Sequence, residues 1–146
     1  MNTRCLLQRR TGRALALTLV GIVALGACGS DDDEADAVAV AGTTWTLTEL
    51  DGAPLPDGVT VDLTFDGERI AGSSGCNQYT TAATFADGEA TIDPVIAGTM
   101  MACEPPASDV ESAFLAALGQ VVGYSVEEST LTLVDGDDAT LAVFTG

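Results

Sequence analysis

Three Asp-Gly pairs between alternating strand patterns constrain the fold of this 146-residue chain more than any other feature. Each pair suits a tight hairpin, because both central residues of a type I′ turn adopt positive φ. Between them, apolar and polar residues alternate; Val61 and Leu63 share one face of a strand while Asp62 lies on the other. The pattern predicts an antiparallel sheet with local connections, built on strands at 44–48, 59–65, 68–73, 80–85, 90–93, 130–134 and 140–144. The three turn pairs are Asp66-Gly67, Asp87-Gly88 and Asp135-Gly136.

One segment departs from the strand pattern and predicts a helix over residues 109–119. Ser108 and Glu111 have the spacing of a capping box, in which each side chain bonds the other's backbone N–H at the helix start. Apolar residues follow at helical spacing, so one stripe of the helix should pack on the sheet. This stripe, with Phe114 and Leu118 at its centre, is expected to meet the inward strand residues Val61, Leu63, Leu131 and Leu133.

Residues 1–27 have the pattern of a bacterial lipoprotein signal peptide. An arginine-rich start precedes an apolar run over residues 14–27, which is shorter than the roughly 20 residues that span a bilayer. Leu25-Gly26-Ala27-Cys28 resembles a lipobox. It predicts cleavage before Cys28 and lipidation there, since two or more acyl chains anchor a protein stably. An ordinary signal peptide with an incidental Cys28, and a short uncleaved membrane helix, are the alternatives.

The rest of the chain divides into a tether and one domain. Residues 28–41 carry the lipidated cysteine and a short acidic tether, and residues 42–146 form the domain. From Cys28 onward, Arg69 is the only basic residue against 22 carboxylates. This balance excludes nucleic acid as a partner, because phosphate binding needs a basic surface. High solubility and attraction of a cationic partner are both consistent with it.

The four cysteines have different predicted fates. Cys5 leaves with the signal peptide and Cys28 takes the lipid. Cys76 and Cys103 remain as an even pair in an oxidising compartment, which favours a disulfide. Two free buried thiols are the alternative.

Several motifs together resemble the META domain, found in HslJ-like heat-inducible lipoproteins of the bacterial envelope. The resemblance covers about residues 42–146 and lies in Trp45-x-Leu47, Gly72-Ser-Ser-Gly-Cys-Asn-Gln-Tyr79, Gly98-Thr-Met-Met-Ala-Cys103, the helix around Phe114, and Leu131-Thr-Leu133. It implies an α+β, mostly β fold, with an antiparallel sheet curled into an open barrel and one packed helix. It also implies a role in envelope stress or antibiotic tolerance without catalysis. Thr81 and Ala83 depart from the family, which often has a glycine and a second aromatic there.

The residue inventory excludes most catalytic chemistry. The chain has no histidine, and all five basic residues are arginine, so a Ser-His-Asp triad and a lysine Schiff base are both impossible within it. Two cysteines with carboxylates are not the usual structural zinc set, and Gly72-Ser-Ser-Gly75 lacks the lysine of a phosphate loop. We therefore expect no enzyme activity, no cofactor and no metal.

Three residues remain as candidates for a structural or ligand-facing role. Asn77 either faces a ligand or hydrogen-bonds the backbone of its own turn. Tyr79 is either a recognition aromatic or strand packing, and Arg69 either selects an anionic ligand or pairs with a nearby carboxylate. The partner is an envelope protein or a small ligand, besides the membrane reached through Cys28.

Two functions follow from these residues. The chain is a membrane-anchored extracytoplasmic binding module, or it is a purely structural, protective envelope domain. An apolar pocket inside the sheet would favour the first, and a filled interior the second.

Overall fold

The structure, a computed structural model, describes residues 40–146. The predicted signal peptide, Cys28 and the tether up to residue 39 lie outside the described residues. No helix between residues 40 and 146 is both long and apolar enough to cross a bilayer.

The described part of the chain is mostly β-structure with one helix. The helix, α1, is Ala107–Leu118. The strands are β1 Thr44–Leu50, β2 Ala53–Pro54, β3 Asp62–Phe65, β4 Arg69–Ser73, β5 Gln78–Ala86, β6 Glu89–Ile92, β7 Ala97–Gly98, β8 Gly123–Glu127, β9 Thr130–Val134 and β10 Thr140–Thr145.

All the strand pairings are antiparallel, and eight of the strands form a closed ring. The order is β10-β9-β8-β6-β5-β4-β3-β1, and β1 also pairs with β10, for example Leu47 with Phe144. β2 pairs with β1 and β7 with β5 outside this ring. The mostly β fold with a curled antiparallel sheet and one helix is therefore confirmed. Pairing of the first and last strands closes the barrel that the resemblance described as open.

The predicted hairpins are present, but only one has the predicted type I′ geometry. Asp87 and Gly88 have φ values of 53° and 77°, so both lie in the left-handed region that this turn requires. At Asp66-Gly67, the Asp66 carboxylate accepts bonds from the N–H groups of Glu68 and Arg69. The Asp135 carboxylate does the same for two later residues of its turn. In these two turns an aspartate side chain accepts hydrogen bonds from the turn backbone. The prediction of a type I′ turn is therefore wrong for both.

The barrel interior is filled by side chains. Val61, Leu63, Leu131 and Leu133 are fully buried, as predicted, and so is Phe114 of α1. The Phe114 ring lies 5.3 Å from that of Tyr79 on β5 and 6.4 Å from that of Phe144 on β10. β5 and β10 are four strands apart in either direction around the ring. The Phe114 side chain of α1 therefore packs between opposite sides of the barrel.

The start of α1 differs from the sequence prediction. The helix begins directly after Pro106, and no side chain caps its N-terminus. The predicted capping box of Ser108 and Glu111 is therefore wrong. Glu111 lies one turn inside the helix, and its carboxylate reaches across to the loop after β4 instead.

Candidate functional site

Asn77 joins three segments that are distant in sequence. Its Nδ2 donates to Glu111 Oε1 on α1 at 2.9 Å and to the Met101 carbonyl at 3.3 Å. Its Oδ1 accepts from Met101 N at 2.7 Å and from Thr99 Oγ1 at 2.9 Å. Asn77 is buried. Its amide therefore holds α1 and the segment before Cys103 to the loop after β4.

Glu111 is the charged member of this network. Its carboxylate accepts from Asn77 N at 2.9 Å, from Asn77 Nδ2, and from Ser74 Oγ in a short hydrogen bond. Burial by itself would raise the pKa of this carboxyl group, but the bonds from Ser74 and Asn77 outweigh burial, and the pKa lies below the ordinary value of 4.5. Glu111 is therefore held as a carboxylate by neutral donors.

A ten-residue segment, residues 94–103, follows β6 and pairs with the same edge of β5, nearer the start of that strand; we call it the arm. At its start, the Thr81 hydroxyl lies 2.9 Å from the Asp93 carbonyl and 3.1 Å from the Val95 carbonyl. In its middle, β7 pairs with β5, and a Cβ on Gly98 would lie 2.6 Å from the Gln78 carbonyl oxygen, so this close approach requires glycine. At its end, Cys103 is bonded to Cys76. The arm is therefore fixed to the barrel at three points.

The arm exposes large apolar side chains despite these fixed points. Met100 is 97 % exposed, Val95 78 % and Met101 62 %. The Asn77 bonds hold both the N–H and the carbonyl of Met101, so its backbone is tied down while its side chain points to solvent. Met100 and Met101 are adjacent in the chain, and a large exposed apolar patch is typical of an interaction surface.

A cleft of about 250 Å³ lies between the arm and α1. Its polar wall contains Asn77 and Glu111, and its apolar wall contains Ile96, Leu115 and Met100. A second cleft, of about 230 Å³, lies between β2 and the start of α1 and is lined mainly by apolar residues. Both clefts are on the outside of the barrel.

The three candidate residues, Asn77, Tyr79 and Arg69, have different surroundings in the structure. Asn77 is buried and bonds well beyond its own turn. Tyr79 is buried, its hydroxyl donates to the Asp62 carbonyl at 3.2 Å, and burial raises the pKa of this hydroxyl far above its ordinary value, so its ring packs in the core. Arg69 is exposed on β4, and its Nε donates to Thr80 Oγ1 at 3.4 Å. Asn77 and Tyr79 line the same cleft, and Arg69 does not.

The predicted disulfide between Cys76 and Cys103 is present. It joins the residue before Asn77 to the end of the arm. Among residues 40–146, no group of three or more metal-ligating side chains is clustered. Thr81 and Ala83, the two departures from the family pattern, are both buried. Thr81 uses its hydroxyl to hold the start of the arm, so this departure has a structural consequence.

Sequence reasoning missed the roles of Glu111 and of the arm. Glu111 stands 34 residues from Asn77, and its local spacing from Ser108 indicated a helix cap. Two adjacent methionines after a glycine were the available signal for the arm, but methionine is common in cores, and only the fold shows that these two face outward.

Comparisons with known proteins agree with this architecture. The sequence profile of the META domain matches residues 38–146. The chain is similar to a protein from Burkholderia xenovorans solved by NMR, with 25 % identity, a TM-score of 0.59, and coverage of 87 % of this chain and 97 % of that one. A second protein solved by NMR is 20 % identical, with a TM-score of 0.60 and coverage of 75 % of this chain and 92 % of that one.

A crystal structure of a DUF4847 family protein from Bacteroides vulgatus has a similar fold. It is 16 % identical, with a TM-score of 0.54, and the alignment covers 73 % of this chain and 93 % of that one. No curated protein matches the chain.

Proposed function

Because the chain belongs to the META domain family, we propose that it is a membrane-anchored extracytoplasmic interaction module that binds a partner protein through the arm. The arm carries this proposal. It is held by Thr81, by the pairing of β7 with β5, by Asn77 and by the disulfide at Cys103. Met100, Met101 and Val95 are nevertheless exposed.

Binding is favoured by a backbone that is ordered before the partner arrives. A flexible loop loses conformational freedom when it binds, and this loss weakens the complex. The Asn77 bonds and the disulfide already order the arm. Methionine suits such a surface, because its unbranched, polarisable side chain adapts to different apolar partners. A partner would therefore gain apolar burial with little further ordering of this backbone.

The partner we propose is a basic, apolar segment of an envelope protein. Residues 40–146 contain one basic residue, Arg69, and 17 carboxylates. A field of one sign speeds the approach of oppositely charged surfaces and disfavours acidic ones. The exposed methionines select for apolar side chains, and the surrounding charge selects for lysine and arginine near them.

The place of action rests on the N-terminal sequence. Leu25-Gly26-Ala27-Cys28, after a short apolar run with a basic start, supports lipid anchoring at Cys28, outside the described residues. A disulfide in the domain is in keeping with an oxidising, extracytoplasmic compartment. A palmitate analogue fed to cells should label the wild-type chain and not Cys28→Ser; equal labelling of both would contradict the anchor.

A non-enzymatic role is part of the proposal. With no histidine and no lysine anywhere in the chain, a nucleophilic hydroxyl would have neither of these as its base, and acid–base catalysis would have to depend on carboxylates. Glu111, the carboxylate nearest the cleft, is engaged by three neutral donors. The envelope-stress or antibiotic-tolerance role that the family resemblance implies would then operate through binding.

The second candidate is a purely structural, protective envelope domain. The filled interior of the barrel favours it, because Phe114 occupies the space where a ligand inside the sheet would lie. The two candidates differ in whether the arm contacts a specific partner.

Site-specific photo-crosslinking in cells separates them. A photoreactive amino acid is placed at Val95 on the arm, or at Thr140 as a control; Thr140 is exposed on β10, opposite β5 in the ring. We expect Val95, and not Thr140, to crosslink one discrete protein at a peptide rich in lysine or arginine. Met100→Ser/Met101→Ser should abolish that crosslink. No discrete product from Val95, or the same products from both positions, would favour the structural domain; an acidic crosslinked peptide would contradict the proposed partner chemistry.

A further inference from the structure

The arm also concentrates the oxidisable side chains of this domain. We propose that Met100 and Met101 are its oxidation sites, that peroxides convert both to methionine sulfoxide without unfolding the barrel, and that this conversion switches the arm from an apolar to a polar surface. The last step rests on the proposed function; the site and the chemistry do not.

Selectivity follows from the placement of sulfur. Residues 40–146 contain four sulfur-bearing side chains. Cys76 and Cys103 are bonded to each other, and so neither offers the thiolate that reacts with peroxide. Met100 and Met101 are the other two, and both thioethers belong to side chains that are mostly in solvent.

The oxidisable aromatic side chains are shielded. Trp45, Tyr79 and Tyr124 are all buried, and the indole N–H of Trp45 donates to the Val40 carbonyl at 2.9 Å. An oxidant approaching the described domain from solvent therefore meets the two thioethers before any other reactive group. Met100, at 97 % exposure, should react before Met101, at 62 %.

The chemistry needs only a peroxide. The thioether sulfur attacks one peroxide oxygen, the O–O bond breaks, and an S–O bond forms. The second oxygen leaves as water, with both hydrogens when the oxidant is hydrogen peroxide. Sulfur loses two electrons and the peroxide gains them. No thiolate, metal or cofactor takes part, and sulfoxide reductases can reverse the product.

The fold should tolerate this change because the side chains and the backbone of the arm have separate surroundings. The N–H and carbonyl of Met101 bond to the buried Asn77 side chain, and neither bond involves a sulfur atom. A sulfoxide on an exposed side chain stays hydrated, so no polar group is buried. A polar oxygen on each side chain would instead reduce the apolar surface that a partner can cover.

The test uses the full chain purified from the envelope and treated with hydrogen peroxide, with free methionine as an internal rate standard. Peptide mapping should find one oxygen on Met100 and one on Met101, gained at rates comparable with the standard, and none on Trp45. The melting temperature of the oxidised protein should equal that of the untreated protein. Met100→Leu/Met101→Leu should gain no oxygen in this peptide.

Oxygen on Trp45, methionines that resist while the standard reacts, or a lowered melting temperature would each overturn the inference. The crosslink from Val95 gives a separate readout, which peroxide treatment should abolish in wild type and leave intact in Met100→Leu/Met101→Leu. If both methionines are oxidised and the crosslink persists, the oxidation sites stand and the switch is wrong. If Val95 never gives a crosslink, the proposed function fails while the oxidation sites are still tested by mass.

Discussion

At the scale of single residues, the Asn77 side chain links segments that are distant in sequence. One amide connects the loop after β4, the arm and α1, and its oxygen and nitrogen both have partners in other segments. Asparagine suits this position because its side chain donates and accepts at the same time, which neither aspartate nor alanine can do.

Asn77→Ala should lower the free energy of unfolding by about 1–3 kcal/mol, because Met101 N loses its acceptor and Glu111 Oε1 loses its donor, while Ser74 and the Asn77 backbone N–H still bond the other oxygen of Glu111. Urea unfolding of the two proteins measures this difference. Gln78→Ala, at the next and exposed position, is the matched control and should change stability by less than about 0.5 kcal/mol. An Asn77→Ala protein as stable as wild type would contradict the role of the network.

The lowered pKa of Glu111 predicts that the stability of the fold depends on pH. Its pKa in the folded state is below 4.5, so the folded chain binds this proton more weakly than the unfolded chain does. The stability that Glu111 contributes is therefore complete above about pH 4.5 and is lost as the pH falls through the folded-state pKa.

Glu111→Gln cannot titrate, so the difference in melting temperature between wild type and this variant should be largest near pH 6 and shrink towards pH 3. Glu104→Gln, on the exposed segment before α1, removes a negative charge elsewhere and controls for the net charge. A difference for Glu111→Gln that stays constant from pH 6 to pH 3 would show that the hydrogen bonds to Glu111 do not depend on its charge.

At the scale of elements, α1 packs one apolar face against the interior of the barrel. Val110, Phe114, Ala117 and Leu118 form its buried face, as helical spacing predicts. Phe114 alone contacts aromatic rings on opposite walls. The loss of this side chain would leave a cavity bounded by strands that cannot easily move together.

Phe114→Ala should therefore lower the free energy of unfolding by about 3–5 kcal/mol. Ser112→Ala, on the exposed face of the same helix, is the control and should stay within about 0.5 kcal/mol of wild type. Chemical denaturation measures both. A small effect of Phe114→Ala would mean that the helix does not fill the interior.

The turns differ in their need for glycine. Gly88 has φ of 77°, whereas Gly136 is outside the positive-φ region and has open space where a Cβ would stand. Gly88→Ala should cost about 1–2 kcal/mol. Gly136→Ala should be neutral or stabilise by up to about 1 kcal/mol, because it restricts the unfolded chain. Equal thermal shifts for the two variants would contradict the assigned turn geometry.

The elements that sequence predicts are those with a local signal. Alternation predicts β3, β9 and β10 together with their inward residues, and helical spacing predicts α1. β2 and β7 have two residues each, too few for any periodicity. β8 is not predicted either, because its residues Gly123, Ser125 and Glu127 weaken the strand pattern.

The features that the sequence does not predict depend on contacts between residues distant in the chain. Closure of the barrel depends on β1 and β10, which lie at opposite ends of the domain. The site depends on a bond between Asn77 and Glu111 that no spacing rule predicts, and the capping-box pattern at Ser108 favoured a different partner for Glu111. Cys76, Cys103 and Asn77 were identified from sequence, but the outward direction of Met100 and Met101 required the fold.

At the scale of the whole molecule, the domain combines a filled barrel, a strongly acidic surface and one fixed apolar arm. The barrel provides the stability and the acidic surface provides solubility and charge selection. The arm is the part of residues 40–146 where large apolar side chains are both adjacent and exposed. The proposed binding requires this arm to be ordered before any partner arrives.

Amide hydrogen exchange of the Met101 and Thr99 N–H groups tests that order most directly. Met101 N donates to Asn77 Oδ1, and Thr99 N donates to the Gln78 carbonyl at 3.0 Å. Both amides should exchange orders of magnitude more slowly than an unstructured peptide, and Asn77→Ala should accelerate Met101 more than Thr99. Exchange of Met101 in wild type at the rate of an unstructured peptide would show a loose arm and contradict the account.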